Sequence, residues 1–130
     1  MEAFVDWQKC RRGAWCCLSE LDLAHSHFDD MEGVYVIWYE DENENPVCLK
    51  VGHGFIRECL IEELHDQEVQ AQKQKQELFV TWAKVGPTFC SCVVKYMIEA
   101  LEPELHCTCP GTEAIEVNLP WHKVTSLPWQ

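Results

Sequence analysis

Apolar residues over the first thirty positions follow no clean period. Phe4, Trp7, Trp15, Leu18, Leu21 and Leu23 recur irregularly around Gly13, which predicts a short helix, a break and a second short helical piece. The pattern then changes character. Gly33 opens the run Val34-Tyr35-Val36-Ile37-Trp38-Tyr39, rich in β-branched and aromatic residues, which ends in the polar stretch Glu40-Asp41-Glu42-Asn43-Glu44-Asn45-Pro46. Val47-Cys48-Leu49-Lys50-Val51 resumes the β pattern and stops at Gly52-His53-Gly54, so an antiparallel hairpin is expected. The glycines on either side of His53 give its backbone the freedom to turn the imidazole toward a cleft, against the plainer reading of a turn histidine in solvent.

Ile56, Leu60, Ile61 and Leu64 fall at helical spacing, followed by a Gln- and Lys-rich continuation to Gln76 that reads as the exposed end of that helix or a loop. Leu78 to Val85 predicts a third strand. After Gly86-Pro87, the residues Val94, Met97, Ile98 and Leu101 define one face of a second helix, which Pro103 stops. The tail, with Pro110, Gly111, Pro120 and Pro128 around Ile115 to Leu119, reads as an extended segment. The whole predicts a single α+β domain over 1–130 with a three-stranded antiparallel sheet flanked by helices. Its core spans about 33–106, with a helical extension over 1–30 and an extended tail over 107–130.

Composition narrows the picture. A chain of 130 residues with 47% apolar and 25% charged side chains has enough apolar material for one buried core. No stretch reaches the roughly 20 apolar residues of a membrane span, and the opening lacks the basic-then-apolar order of a signal peptide, so a cytoplasmic protein without a membrane partner is expected. The nine cysteines are an odd count in a chain too large to need staples, which favours reduced thiols. With 10 basic and 22 acidic residues the net charge is −12, a field that repels polyanions. Asp29, Asp30, Glu32, Glu40, Asp41, Glu42 and Glu44 lie in one stretch without Lys or Arg, which reads as a solvated hairpin tip.

The order strand, strand, helix, strand, helix carries GVY (Gly33 to Tyr35) on the first strand and KVGHG (Lys50 to Gly54) closing the second. LFVTWAKV and YMIEALEPEL follow, and VNLPW (Val117 to Trp121) lies in the tail. From Gly33 to about His106 this resembles the GIY-YIG nuclease superfamily, and VNLPW resembles its small stand-alone bacterial members. The resemblance implies phosphodiester chemistry. Two tyrosines act around an attacking water, an arginine on the first helix steadies the phosphate, and a glutamate on the second helix holds magnesium or manganese.

Carried across by position, Tyr35 matches the first tyrosine, whereas Lys50 stands at the second and has no phenol to exchange a proton. Cys59 stands at the arginine, and Arg57, two residues earlier, is turned about 200° around a helix from it. Val94 stands at the metal-binding glutamate, where magnesium requires oxygen ligands. His106 stands at the asparagine. The candidate residues are therefore Tyr35, Lys50, His53 and Arg57, with Glu58, Glu62 and Glu63 as acids able to approach the hairpin end. The pattern implies a catalytically degenerate domain acting as a binding or accessory module. One alternative is an active endonuclease that uses magnesium or manganese through relocated ligands; another is an unrelated α+β protein-interaction domain. The partner is nucleic acid, at a local cleft around Lys50 and Arg57, or protein.

Three other chemistries are weaker. Cys90, Cys92, His106, Cys107 and Cys109 are zinc-type donors, but C-x-C is tighter than the usual knuckle and a helix separates the two groups. Cys16, Cys17, His25 and His27 are weaker still as ligands. Cys59 with His53 or His65 is a Cys–His pair on paper, although residues six apart do not share a helix face. Of the six tryptophans most are expected in the core, with Trp121 or Trp129 anchoring the tail or meeting a partner.

Overall fold

The computed structural model describes residues 2–121. Its elements in chain order are β1 (Glu2–Ala3), β2 (Cys16–Cys17), β3 (Glu32–Glu40), β4 (Pro46–Phe55), α1 (Ile56–His65), α2 (Gln67–Lys75), β5 (Phe79–Lys84), α3 (Pro87–Leu101) and β6 (Glu116–Val117). Three single-turn 3-10 helices at Arg11–Gly13, Leu18–Glu20 and Ser26–Phe28 punctuate the first thirty residues. The architecture is α+β, with an antiparallel sheet in the order β2-β5-β3-β4.

The sheet has four strands where three were expected. The extra one is β2, in which Cys16 pairs with Val80 and Cys17 with Phe79 along the outer side of β5. Two residues are too few to display the alternation that announces a strand. In place of the expected pair of short helical pieces the same segment has only single 3-10 turns, and around them it bonds to distant chain. The amide of Val5 donates to Asn118 Oδ1 (2.7 Å), the Trp7 indole to the Asn118 carbonyl (2.8 Å) and the amide of Gln8 to the Trp82 carbonyl (2.9 Å). The terminal strands β1 and β6 pair in parallel as a separate two-stranded sheet.

The hairpin of β3 and β4 is built as the alternation predicts, with one irregularity. Ile37 faces Lys50 and Trp38 faces Cys48, so Leu49 is the extra residue of a bulge. The bulge breaks the in-out alternation, placing Leu49 and Lys50 on the same side of the sheet. The glycines of the two tripeptides are close-packing positions. A Cβ on Gly33 would collide with the Ala83 carbonyl oxygen, and one on Gly52 with the Tyr35 ring and hydroxyl.

Two cores lie on the two faces. One gathers Val34, Val36 and Trp38 of β3 with Val93, Val94 and Met97 of α3 and Val5, Ile115 and Val117 from the chain ends. The other gathers Tyr35, Ile37, Leu49, Val80 and Trp82 with Ile56 and Leu60 of α1, Val69 of α2, and Leu18 and Phe28 of the N-terminal segment. Asp66 separates α1 from α2 by capping the second helix, its Oδ1 accepting from Glu68 N (2.9 Å) and Val69 N (3.1 Å). Gly86 and Pro87 start α3 as expected, and among the described residues no helix is long and apolar enough to cross a membrane.

The expectation of reduced thiols fails at one pair: Cys10 and Cys16 form a disulfide, their Cα atoms brought to 5.0 Å by the turn at Arg11–Gly13. The other seven cysteines are free thiols. Trp38 and Trp82 are core residues, Trp7, Trp15 and Trp121 are partly buried against the α3-side core, and Trp129 lies outside the described residues.

Candidate functional site

Tyr35 on β3 and Lys50 on β4 meet on the α1 face, and they meet at Glu63. The Tyr35 hydroxyl donates to Glu63 Oε2 (2.9 Å) while Lys50 Nζ donates to Oε1 of the same carboxylate (2.7 Å) and lies 3.6 Å from Asp66. Glu63 is 4% exposed and Tyr35 7%. Each element contributes for a local reason. The missing side chain at Gly52 lets the Tyr35 ring lie against the neighbouring strand. The bulge at Leu49 turns Lys50 toward α1. Position 63 lies seven residues after Ile56 and three after Leu60, on the buried face of that helix.

The electrostatics close this cluster rather than prime it. Burial first, then the charge and hydrogen bond of Glu63, hold the Tyr35 hydroxyl far above the usual tyrosine range, so it remains a protonated donor. For Lys50, burial opposes the charge, but the hydrogen bond and charge of Glu63, with Asp66, outweigh it and raise the ammonium above its ordinary value. A buried carboxylate needs such partners, because an unpaired ion in the interior is far costlier than a paired one.

The remaining sequence candidates do not join the cluster. His53 is exposed and pairs across the hairpin with Val34, a residue of the α3-side core, so it stands on the opposite face from Tyr35. Arg57 turns to the N-terminal segment, donating through Nε to the Leu23 carbonyl (2.7 Å) and through Nη2 to the His25 carbonyl (2.8 Å) and Asp29 (2.7 Å). The positive cleft expected around Lys50 and Arg57 is not formed, since each cation is neutralised by its own carboxylate. Val94 is 2% exposed within the α3-side core, so a glutamate at that position would lie across the sheet from Tyr35.

Cys59 packs beneath Gly54, and burial with the charges of Glu62, Glu63 and Glu58 pushes its thiol up to about 11, away from a nucleophile. His65 donates from Nδ1 to the Ile61 carbonyl (2.8 Å), one turn back on its own helix. Among the described residues no group of three or more His, Cys, Asp or Glu side chains is placed to hold a metal ion. The cysteines weighed for zinc are dispersed: Cys90 contacts the Val85 carbonyl, Cys92 the Thr112 hydroxyl, and Cys107 receives the Val51 amide.

Glu63 was legible only as one of three acids near the hairpin. The decisive signal was helical phase. Taking Ile56 and Leu60 as the buried stripe brings residue 63 onto it, whereas counting Ile61, which is 41% exposed, rotates the stripe away. Asp66 carries a capping signal, an Asp opening a new helical run, which distinguishes a second helix from the helix end or loop expected there. Comparison with protein-family models, with curated proteins and with solved structures finds no match.

Proposed function

We propose that this chain is a binding or accessory module on a frame resembling the GIY-YIG nucleases, with the phosphodiester-cleaving centre retired. The observation that carries the reading is the Glu63 carboxylate, which engages the Tyr35 hydroxyl and the Lys50 ammonium at once. A tyrosine that serves an attacking water needs a free hydroxyl, and a cation that steadies a phosphate needs an unneutralised charge. Supporting it, Arg57 is committed to Asp29 and two carbonyls, and the position matching the metal-binding glutamate is Val94 in the opposite core. Of the two partner classes the same facts favour a protein over nucleic acid, because a net charge of −12 repels polyanions and the two local cations are paired.

A second reading, an active endonuclease with relocated ligands, draws on Glu63 and Asp66 both approaching Lys50 beside Tyr35. Two carboxylates are a sparse set for magnesium or manganese, which take about six oxygen ligands and usually keep several waters. The assay that separates the readings uses single- and double-stranded DNA and RNA with manganese, with and without chelator, on wild type, Tyr35→Phe and Glu63→Gln. The expected result is no cleavage above buffer in any sample. Chelator-sensitive cleavage by wild type that both substitutions abolish would overturn the binding-module reading and establish the nuclease.

A further inference from the structure

The segment 22–31 crosses the α1 face over β5, and the atoms that hold it there have an unusual chemistry. The Trp82 indole N–H donates to His27 Nε2 (3.0 Å), and the amide of His27 donates to His25 Nδ1 (2.9 Å). An indole nitrogen and a backbone amide can only donate. Both imidazole nitrogens must therefore present lone pairs, which fixes the tautomer of each ring with its proton on the other nitrogen. A second proton on either ring converts the acceptor into a donor aimed at another donor. His27 is exposed to solvent, so water delivers that proton freely.

The surroundings amplify the effect. Charged groups bonded to this stretch of the segment include Arg57 of α1, which donates to the His25 carbonyl (2.8 Å) and Asp29 (2.7 Å), and Asp22, which accepts from Ala24 N (3.1 Å). The β5 strand presents the neutral Trp82 ring. Asp29 is already engaged by Arg57, so a new imidazolium at His25 adds positive charge beside a fixed guanidinium. Beneath the segment, the Phe28 and Trp82 rings lie 5.0 Å apart, and Trp82 is the cross-strand partner of Tyr35.

We propose that the segment 22–31 is a pH-gated strap: proton uptake by His27 at Nε2, seconded by His25 at Nδ1, releases the Trp82 indole and uncovers the aromatic wall beside Tyr35. Arg57 is the hinge-side anchor, because its bonds run to two carbonyls and to Asp29 rather than to an imidazole nitrogen. This holds whether the domain binds or cleaves.

The test is a pH titration of the 15N-labelled protein by NMR, following the Trp82 indole N–H signal, assigned with Trp82→Phe, and the ring-to-ring contacts between Phe28 and Trp82. In wild type the indole signal is expected to move upfield and the ring contacts to vanish on acidification. His27→Gln supplies a non-titrating acceptor near the position of Nε2, so both features should then be independent of pH. His25→Asn, which mimics Nδ1, should narrow the transition without abolishing it. Ring contacts that persist in acidified wild type overturn the proposal. So does their loss in wild type and His27→Gln alike, or a simultaneous collapse of all indole signals, which marks global acid unfolding rather than a strap opening.

Discussion

At the scale of single residues, the two glycine tripeptides turn out to be one packing arrangement. Gly52 has no side chain because the Tyr35 ring occupies that space, and Gly33 has none because the Ala83 carbonyl does. The reading of the sequence singled out Tyr35 and Lys50, but the bulge that brings them to one face was not visible in it. It did not pair them with Glu63, because a carboxylate on an amphipathic helix is ordinarily assigned to solvent. His53 and Arg57 drew attention for chemistry that local pattern cannot place: strand parity sends the first to the far face, and a long flexible side chain sends the second to the strap.

The buried hydroxyl gives a pH dependence whose sign can be worked out. Tyr35 ionises above its ordinary range when folded, whereas in the unfolded chain it ionises near pH ~10. Its contribution to stability is therefore fully present below about pH 10 and is lost as pH rises beyond it, at up to about 1.4 kcal/mol per pH unit for one group. Urea midpoints between neutral and strongly alkaline pH should fall more steeply for wild type than for Tyr35→Phe. Parallel slopes would mean that the hydroxyl ionises as readily in the fold as outside it.

At the scale of elements, the long regular pieces were legible and the short or broken ones were not. The hairpin, β5 and α3 carry five or more residues of consistent period, and each stands close to where the pattern puts it. The bulge at Leu49 was hidden, since nothing in Cys48-Leu49-Lys50-Val51 marks which residue is supernumerary. The break between α1 and α2 was hidden by a polar continuation that suits a helix on either side of it. Asp66 makes that break: it accepts from two amides of α2, and those bonds, foremost the one from Val69, hold its carboxyl below the usual aspartate value. Asp66→Ala is expected to lower stability by about 1 kcal/mol and to speed amide exchange at Glu68 and Val69. Because a depressed carboxyl stabilises above its unfolded value, the loss should be present at neutral pH and shrink only as pH falls below about 4. Unchanged exchange at Val69 would show that α2 is held by packing alone.

At the scale of the whole molecule, the N-terminal segment joins layers that the sheet keeps apart. Val5 belongs to the α3-side core, and Cys16, Leu18 and Phe28 to the α1-side core. Between them the chain passes the outer side of β5, where Gln8 bonds to Trp82 and the Thr81 hydroxyl donates to the Gln8 carbonyl (2.6 Å). The disulfide of Cys10 and Cys16 closes the turn at this crossing, and the loop is further seated by Lys9 over the Trp15 ring (4.4 Å) and by Trp15 edge-on to Trp38 (5.2 Å). None of this showed in the sequence, because connections made across a hundred residues leave no local period, and nine cysteines admit many pairings. A bridge across so short a loop limits the unfolded chain only modestly, so reduction should lower stability by about 2 kcal/mol. Cys10→Ser should show the same deficit in a urea titration and no further response to reductant. The folded sheet should survive in both, since β2 remains hydrogen-bonded to β5 through Val80 and Phe79 and Cys16 remains in the core. If reduction instead unfolds the chain, the bridge rather than the two cores is what holds the crossing segment in place.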